Sequence, residues 1–178
     1  MDRSDSTAVV IRRLEKADSN EAGKFSAKLL KWMWSKYEKG SYPKEASDFD
    51  VWHWSPAKLR ARFDDPDFFG FLAEADGKLC GLVLANIYGK SGYAFINWIA
   101  VDPEHQHEGI GIKLMVATQE HLKKAKCHKI GLYTLPTLVP AVRLYMKFGL
   151  LPEAFLRQQW WGSDFLLMSK WIGKYKKH

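Results

Sequence analysis

One glycine-containing segment, residues 95–116, is the part of the chain best suited to chemistry. It reads FINWIAVDPEHQHEGIGIKLMV. The β-branched and aromatic run that ends at Val101 predicts a strand, and Gly109 and Gly111 open a stretch with apolar residues at helical spacing. Unpaired N–H groups at a helix N-terminus attract anions, and the helix dipole adds to this attraction. The segment therefore predicts an anion-binding loop.

The spacing of this loop, Gln106-x-x-Gly109-x-Gly111, excludes two common nucleotide loops. The chain has no G-x-x-x-x-G-K-S/T sequence, and Lys113-Leu114 stands where a dinucleotide fingerprint needs a third glycine. Such a short string can also be a plain glycine-rich turn. Its place between a predicted strand and a predicted helix favours a pyrophosphate cradle, in which both glycines let the backbone approach the ligand.

A second motif lies on a predicted short helix and its cap, and it reads Ala141-x-x-Leu144-Tyr145-x-Lys147-Phe148-Gly149-Leu150. Together with VDPEHQHEGIG, it resembles the GNAT superfamily of acetyl-coenzyme A (acetyl-CoA) dependent N-acetyltransferases. That family has a V-x-P-x-x-Q/R-G-x-G-x-G/A loop and a later A-x-x-L-Y-x-K-x-G-F helix. The resemblance covers nearly the whole chain. It implies an enzyme that transfers the acetyl group of acetyl-CoA to a primary amine of a small molecule or peptide by direct attack.

The resemblance also implies roles for individual residues. Strand backbone would pair with the pantetheine arm, and loop amides would hold the pyrophosphate. Tyr145 falls on the tyrosine that protonates the departing thiolate. A phenol with a pKa of about 10 is a competent donor to a thiolate whose conjugate acid has a pKa of about 8.5, although a buried packing role is the alternative. The expected cofactor-binding residues are Ile99, Ala100, Val101, Gln106, His107, Glu108, Gly109, Ile110, Gly111, Ile112 and Lys113.

The amine must lose a proton before it attacks, so a base is needed near the fourth strand. Phe95, Asn97 and Ile99 are expected to alternate along the substrate face, and none of them is an acid. An amide near Ile99 would polarise the thioester carbonyl. Glu74 and His53 are candidate bases, although such lone residues are more often structural. The missing base leaves open a second function, a CoA-binding regulatory or interaction module without efficient catalysis.

Several residues depart from the family pattern. His107 stands where relatives have a loop glycine, and Glu108 adds a negative side chain that a backbone cradle tolerates if it points to solvent. Leu138 stands where relatives often have an asparagine that touches the cofactor. His105 and His107 form an H-x-H pair, but no further zinc ligand has a suitable spacing. We therefore expect no metal.

These motifs must be positioned by strands and helices. The apolar periodicity and the turn signals predict where those elements lie. The predicted strands are residues 8–14, 68–74, 78–88, 93–101, 128–134, 151–161 and 165–171, and the second and third join at Asp76-Gly77. The predicted helices are residues 18–36, 55–63, 109–124 and 139–148, with a polar loop at 43–54. The order β-α-α-β-β-β-α-β-α-β-β predicts an α/β (α+β) fold with a mixed sheet of about seven strands, one central parallel pair and helices on both faces.

Composition sets broad limits. A chain of 178 residues with 47% hydrophobic composition predicts one folded domain over residues 1–178, with a short basic tail at about 173–178. No run of about 18 apolar residues occurs, and the first ten residues are acidic and polar, so we expect a cytoplasmic protein without a membrane span. Cys80 and Cys127 lack partner spacing and are expected to be reduced.

The formal charge of +7 favours an anionic ligand. Nucleic-acid binding is the weakest of the hypotheses, because much of the excess lies in stretches typical of solvated faces and a chain end. These lysines are Lys123, Lys124, Lys126, Lys170, Lys174, Lys176 and Lys177.

The acceptor site is expected in the first two helices, their loop and the final hairpin, which are rich in aromatic residues. These side chains could wall an apolar or peptide-like pocket, or they could serve core packing and homodimerisation through the hairpin. The residues are Trp32, Trp34, Tyr37, Tyr42, Trp52, Trp54, Trp160 and Trp161.

Overall fold

A seven-stranded mixed sheet forms the centre of the computed structural model, which describes residues 8–173. Its strands are β1 (Val10–Arg13), β2 (Phe68–Ala75), β3 (Lys78–Ile87), β4 (Tyr93–Val101), β5 (Lys129–Thr134), β6 (Leu151–Trp160) and β7 (Ser163–Trp171). They lie in the order β1-β2-β3-β4-β5-β7-β6. Pairing is parallel between β4 and β5 and antiparallel between the other neighbours. The predicted mixed sheet with one central parallel pair is confirmed, whereas residues 174–178 of the predicted basic tail lie outside the described residues.

Within residues 8–173, five α-helices accompany the sheet. They are α1 (Ser19–Met33), α2 (Lys44–His53), α3 (Pro56–Arg62), α4 (Ile110–Lys124) and α5 (Val139–Phe148), and a π-helical turn, Trp34–Glu38, follows α1 directly. Among the helices of residues 8–173, none combines the length and apolar character that crossing a membrane requires.

The predicted polar loop at residues 43–54 is wrong, because α2 occupies it. Pro43 ends the preceding segment, but its extended backbone, with φ −60° and ψ 152°, also places it at the N-cap of α2. The apolar residues of α2 do not share one buried face, since Ala46 is buried while Phe49 and Trp52 are exposed. The helix therefore lacks the periodicity by which sequence reveals a helix. The observed order is β-α-α-α-β-β-β-α-β-α-β-β.

Helices cover both faces of the sheet, as predicted. On one face, Leu114 and Leu122 of α4 pack with Val83 of β3. On the other face, Leu29 of α1 packs with Leu82 of the same strand. Each fully buried leucine contributes about 1.5–3 kcal/mol to folding, so these two layers hold the sheet between the helices.

Cys80 and Cys127 are both buried free thiols. The Sγ of Cys80 donates to the carbonyl oxygen of Ala73 at 3.3 Å, within the core formed by β2 and β3. The two thiols therefore behave as small core residues.

Gly23 allows α1 to cross the start of α3 closely. A Cβ at Gly23 would lie 2.5 Å from the backbone nitrogen of Pro56. Backbone cannot rotate away as a side chain can, so Gly23→Ala should lower the free energy of unfolding by about 2 kcal/mol, despite the roughly 1 kcal/mol that alanine adds to helix propensity. Urea denaturation measures this loss.

Gly40→Ala is the matched control for this variant. A Cβ at Gly40 would meet no atom of the described residues within 4 Å, so its stability should stay within about 0.5 kcal/mol of wild type. Equal stabilities for the two variants would contradict the close crossing of α1 and α3.

Candidate active site

The parallel strands β4 and β5 separate at their C-terminal halves. Their pairing ends at Ile96 and Leu132, although β4 continues to Val101. Over residues 97–101, β4 has no strand partner on its β5 side within the described part of the chain. Backbone N–H and C=O groups on such an open edge can pair with an extended ligand as an added strand would. This is the stretch where the pantetheine arm was predicted.

A β-bulge at Asn97 changes which side chains of β4 share a face. The register of β4 against β3 skips Asn97, and its Nδ2 donates to the Oδ1 of Asn86 at 2.8 Å. Beyond the bulge, Trp98 packs in the cluster under α1, whereas Ile99 packs in the cluster under α4. The expectation that Phe95, Asn97 and Ile99 lie on one face is therefore wrong, because an extra residue in one strand reverses the alternation.

The loop between β4 and α4 exposes backbone at its tip. His107 and Gly109 have positive φ angles of 70° and 77°, and no side chain caps the helix that begins at Ile110. A Cβ at Gly109 would meet no described atom within 4 Å. The loop tip at His107 and Gly109 is exposed and no side chain caps the first turn of α4, and this arrangement suits a phosphate oxygen.

Gly111 allows close packing between α4 and α5. A Cβ at Gly111 would lie 3.0 Å from the Cδ2 of Leu144 on α5. This glycine lets α4 approach α5, the helix that carries Tyr145, whereas Gly109 keeps the loop backbone open. The loop motif and the tyrosine motif are therefore joined by direct packing.

The polar side chains of the loop mostly contact the loop itself. The Nε2 of Gln106 donates to the carbonyl oxygen of Val101 at 3.5 Å. Glu108 is exposed, and its Oε2 lies 3.4 Å from the Nδ1 of His105. The carboxylate is therefore held on the solvent side of the loop. Within residues 8–173, no three His, Cys, Asp or Glu side chains cluster closely enough to bind a metal.

Tyr145 lies at the base of a cavity. Its side chain is only 7% exposed, yet it lines the cavity together with Ile99 and Leu132, at the gap between β4 and β5. Burial raises the pKa of its hydroxyl. The phenol therefore remains protonated at neutral pH, as a proton donor must.

The cavity has a volume of about 350 Å³. Its walls come from the end of α1 and the following turn, from α2, β4 and β5, and from the β6–β7 hairpin. Such a volume holds a small organic molecule. The cavity therefore joins the open edge of β4 to the segments in which the acceptor site was expected.

Two carboxyl groups line this cavity that were absent from the sequence-based candidates. Glu38 ends the π-helical turn and is 6% exposed, and Asp50 lies on α2. Burial, reinforced by the charge of Asp50, raises the pKa of Glu38 to about 7, and burial raises the pKa of Asp50 to about 6. The hydroxyl of Tyr42 donates to the Oδ2 of Asp50 at 3.0 Å. Carboxyls that titrate near neutral pH can accept and release protons there.

Glu74 and His53 were the two candidate bases from the sequence, and only His53 lies at the cavity. Glu74 pairs with Arg12 at 2.8 Å on β2, two strands away from β4. His53 lines the cavity, but its Nε2 contacts the guanidinium of Arg62. Burial and the nearby positive charges lower the pKa of this imidazole. Neither residue is therefore as well placed to accept a proton as Glu38.

The aromatic residues expected around the acceptor divide into two groups. Tyr42, Trp54 and Trp160 line the cavity. Trp32 packs instead edge-to-face on Tyr37, with ring centroids 5.6 Å apart, outside the lining. The exposed residues Trp52 and Trp161 both contact Phe49, and Trp34 donates its Nε1 to the carbonyl oxygen of Tyr42 at 2.9 Å.

The sheet, the open edge of β4 and the loop before α4 define an acetyltransferase fold. The acetyltransferase (GNAT) family matches residues 27–150, and the chain belongs to this family. A solved structure with the same fold is the PaiA N-acetyltransferase of Thermoplasma acidophilum in complex with coenzyme A. It superposes with a TM-score of 0.75 at 24% identity, over 94% of this chain and 99% of that one.

Curated relatives match over shorter stretches. The mycothiol acetyltransferase of Acidothermus cellulolyticus is 29% identical over 123 residues, which are 61% of this chain and 35% of that protein. The spermine/spermidine N(1)-acetyltransferase of Bacillus subtilis is 28% identical over 81 residues, or 42% of this chain and 53% of that protein. The chain thus spans about a third of the length of the mycothiol enzyme and about half that of the spermine/spermidine enzyme.

The carboxyl pair makes stability depend on pH. Folding raises the pKa of Glu38 from 4.5 to about 7, so the folded protein binds this proton more tightly than the unfolded chain. The stabilisation from this proton is complete below about pH 4.5 and is lost as the pH rises to about 7. Glu38→Gln should therefore stabilise the protein by about 2 kcal/mol at pH 8 and leave it unchanged near pH 4.

Urea denaturation across this pH range tests the prediction. Glu45→Gln is the control, because Glu45 is an exposed carboxylate on α2. It should follow the wild-type pH dependence, and a Glu38→Gln curve parallel to wild type would contradict the raised pKa.

Proposed function

We propose that this protein is an acetyl-CoA dependent N-acetyltransferase that acts on a primary amine by direct attack. The observation that carries the proposal is one cavity that joins Tyr145 and the unpaired edge of β4 to the buried carboxyl of Glu38. A thioester site, a proton donor and a proton acceptor are thereby brought together, which is the set that amide formation from a thioester requires.

The residues present fit the coenzyme. Its pantetheine arm would pair with the backbone of Ile99, Ala100 and Val101, where β4 lacks a partner on the β5 side of the described sheet. Its pyrophosphate would lie over the open backbone of Gly109, against the first turn of α4. The side chain of Lys113 is exposed in that turn and adds positive charge. When bound, acetyl-CoA supplies an acetyl group activated as a thioester.

Tyr145 acts at the reacting end. The amine nitrogen forms a bond to the thioester carbon, the carbon–sulfur bond breaks, and the sulfur takes the proton of the Tyr145 hydroxyl. Burial weakens the acidity of the phenol, but the same low-dielectric surroundings make an unsolvated thiolate more basic. A backbone N–H of β4 near Ile99 polarises the carbonyl during attack.

A CoA-binding module without efficient catalysis was the alternative, and it was motivated by the missing base on β4. Glu38 and Asp50 reach the same cavity from the helical side, so the motive for that alternative is removed. The residues that line the cavity therefore support acetyltransferase activity better than they support a purely regulatory function.

Association into a homodimer and location in the cytoplasm stay predictions. The surface available for a second copy is the β6 edge of the sheet, where Leu151 and Phe155 are 63% and 54% exposed.

Removal of the Tyr145 hydroxyl tests the activity. Tyr145→Phe should lower kcat by about 100-fold, because the thiolate loses its proton donor. Calorimetry should give an unchanged Kd for acetyl-CoA, since the substitution keeps the packing of the ring. Thiol release with a panel of primary amines measures turnover.

Tyr88→Phe serves as the control, because Tyr88 is 54% exposed in the turn before β4. Its kcat should match wild type. Absence of acetyl-CoA binding by the wild-type protein would overturn the proposed function, and unchanged turnover in Tyr145→Phe would remove the tyrosine from its role.

A further inference from the structure

We propose that the acceptor is a monoamine whose single ammonium group binds between Glu38 and Asp50, that Glu38 accepts its proton, and that its apolar, aromatic body lies along a wall of aromatic rings. This inference rests on the proposed acetyltransferase activity. It adds the chemical class of the acceptor and the identity of the base.

The two carboxyls are held differently, and this difference separates their roles. Asp50 is oriented by Tyr42, whose hydroxyl donates to it at 3.0 Å and whose carbonyl oxygen is fixed by the Nε1 of Trp34 at 2.9 Å. No donor among residues 8–173 hydrogen-bonds to the carboxyl of Glu38. Asp50 is therefore a fixed anion for an ammonium group, and Glu38 has its oxygens available for a proton.

The aromatic wall connects this carboxyl pair to β4. Neighbouring ring centroids lie 6.2 Å apart for Tyr42 and Phe165, 5.3 Å for Phe165 and Trp160, 4.7 Å for Trp160 and Tyr133, and 4.8 Å for Tyr133 and Phe95. All of these rings line the cavity. A flat apolar body can stack along such a wall, and an ammonium group gains further from the ring faces.

The wall also reaches the surface. Trp160 is 43% exposed and Phe49 is 42% exposed at the cavity, and Phe49 contacts Trp161 of the hairpin turn at 5.7 Å. The apolar body can therefore extend outward past these rings while the amine points inward to Glu38.

The charges of the lining argue against other amine classes. Among the described residues that line the cavity, none is a lysine or arginine, so the carboxylate of an amino acid would have no countercharge. The carboxyls in this lining are Glu38 and Asp50, which lie together, so the distant ammonium groups of a polyamine would have no anion. A buried charge without a partner is costly, so both classes should be selected against.

Glu38 and Tyr145 each exchange a proton with the reacting groups. The acceptor enters as an ammonium ion and gives one proton to Glu38, which frees the nitrogen lone pair. The nitrogen bonds to the thioester carbon, the carbon–sulfur bond breaks, and the sulfur receives the Tyr145 proton. The remaining excess proton on nitrogen returns to the Tyr145 oxygen. Release of the Glu38 proton to water completes the cycle.

The pH dependence should report this base. The titratable groups that line the cavity are Glu38, Tyr42, Asp50, His53, Tyr133 and Tyr145. Burial and the neighbouring Asp50 place the pKa of Glu38 at about 7, so kcat/KM should rise as the pH increases through this value and then level. The hydrogen bond from Tyr42 lowers the pKa of Asp50. Its removal should leave Asp50 less ionised, so the charge that raises the pKa of Glu38 is weaker and the rise should move to lower pH.

The test compares amines that differ in one feature, with thiol release at saturating acetyl-CoA as the readout. 2-Phenylethylamine should exceed butylamine at least tenfold in kcat/KM, because butylamine lacks the ring. It should exceed phenylalanine, which adds a carboxylate, at least 100-fold. Spermidine should do no better than butylamine.

Variants then assign the carboxyls. Glu38→Gln should lower kcat/KM for 2-phenylethylamine about 100-fold and remove the rise near neutral pH. Asp50→Asn should mainly raise KM, and Tyr42→Phe should shift the pH profile to lower pH. Glu45→Gln, which changes an exposed carboxylate of the same helix as Asp50, is the matched control and should equal wild type. Calorimetry with acetyl-CoA shows that each variant is folded.

The outcomes separate this inference from the activity on which it rests. Turnover that favours spermidine or phenylalanine, or that survives Glu38→Gln with an unchanged pH profile, would overturn the inference while the acetyltransferase activity stands. Absence of acetyl-CoA binding and of thiol release with every amine would overturn both.

Discussion

The early end of pairing between β4 and β5 is the constraint on which the site depends. Parallel strands normally satisfy each other's backbone groups, and a buried group left unpaired costs about 1–3 kcal/mol. Beyond Ile96 and Leu132 the two strands diverge, and β5 continues to pair only with β7 among the described strands. The bulge at Asn97 turns β4 further. The resulting gap exposes backbone and borders the cavity, so coenzyme binding would satisfy groups that folding leaves open.

Most of the fold could be predicted because its signals are local. Asp76-Gly77 predicts the hairpin between β2 and β3, and both residues adopt the positive φ angles of 50° and 71° that such a turn requires. The helix after Gly109 follows from apolar spacing. Helix α2 could not be predicted in this way, because its exposed Phe49 and Trp52 hide the buried face formed around Ala46.

The candidate site likewise has one part that local sequence signals predict and one part that they do not. Its coenzyme half lies in one short stretch and one helix, so motifs near Gly109 and at Tyr145 are readable from the sequence. Its acceptor half depends on contacts between segments far apart in the chain. Glu38 and Asp50 meet only through the π-helical turn and α2, and the bulge at Asn97 leaves no mark in the strand pattern. The signals that could have found them are an acid at the end of one aromatic run, WSKYE, and an acid inside another, FDVW.

A cradle made of main-chain groups has an evolutionary consequence. Because the N–H groups before and within the first turn of α4 belong to every residue type except proline, the side chains around them can diverge without loss of the contact geometry. His107 illustrates this freedom, since it adopts a φ of 70° that glycine reaches more easily. Substitutions there adjust surface charge and loop stability while the ligand geometry is kept. In the proposed site, acceptor preference would be set by side chains of the turn after α1 and of α2, and it could then change independently.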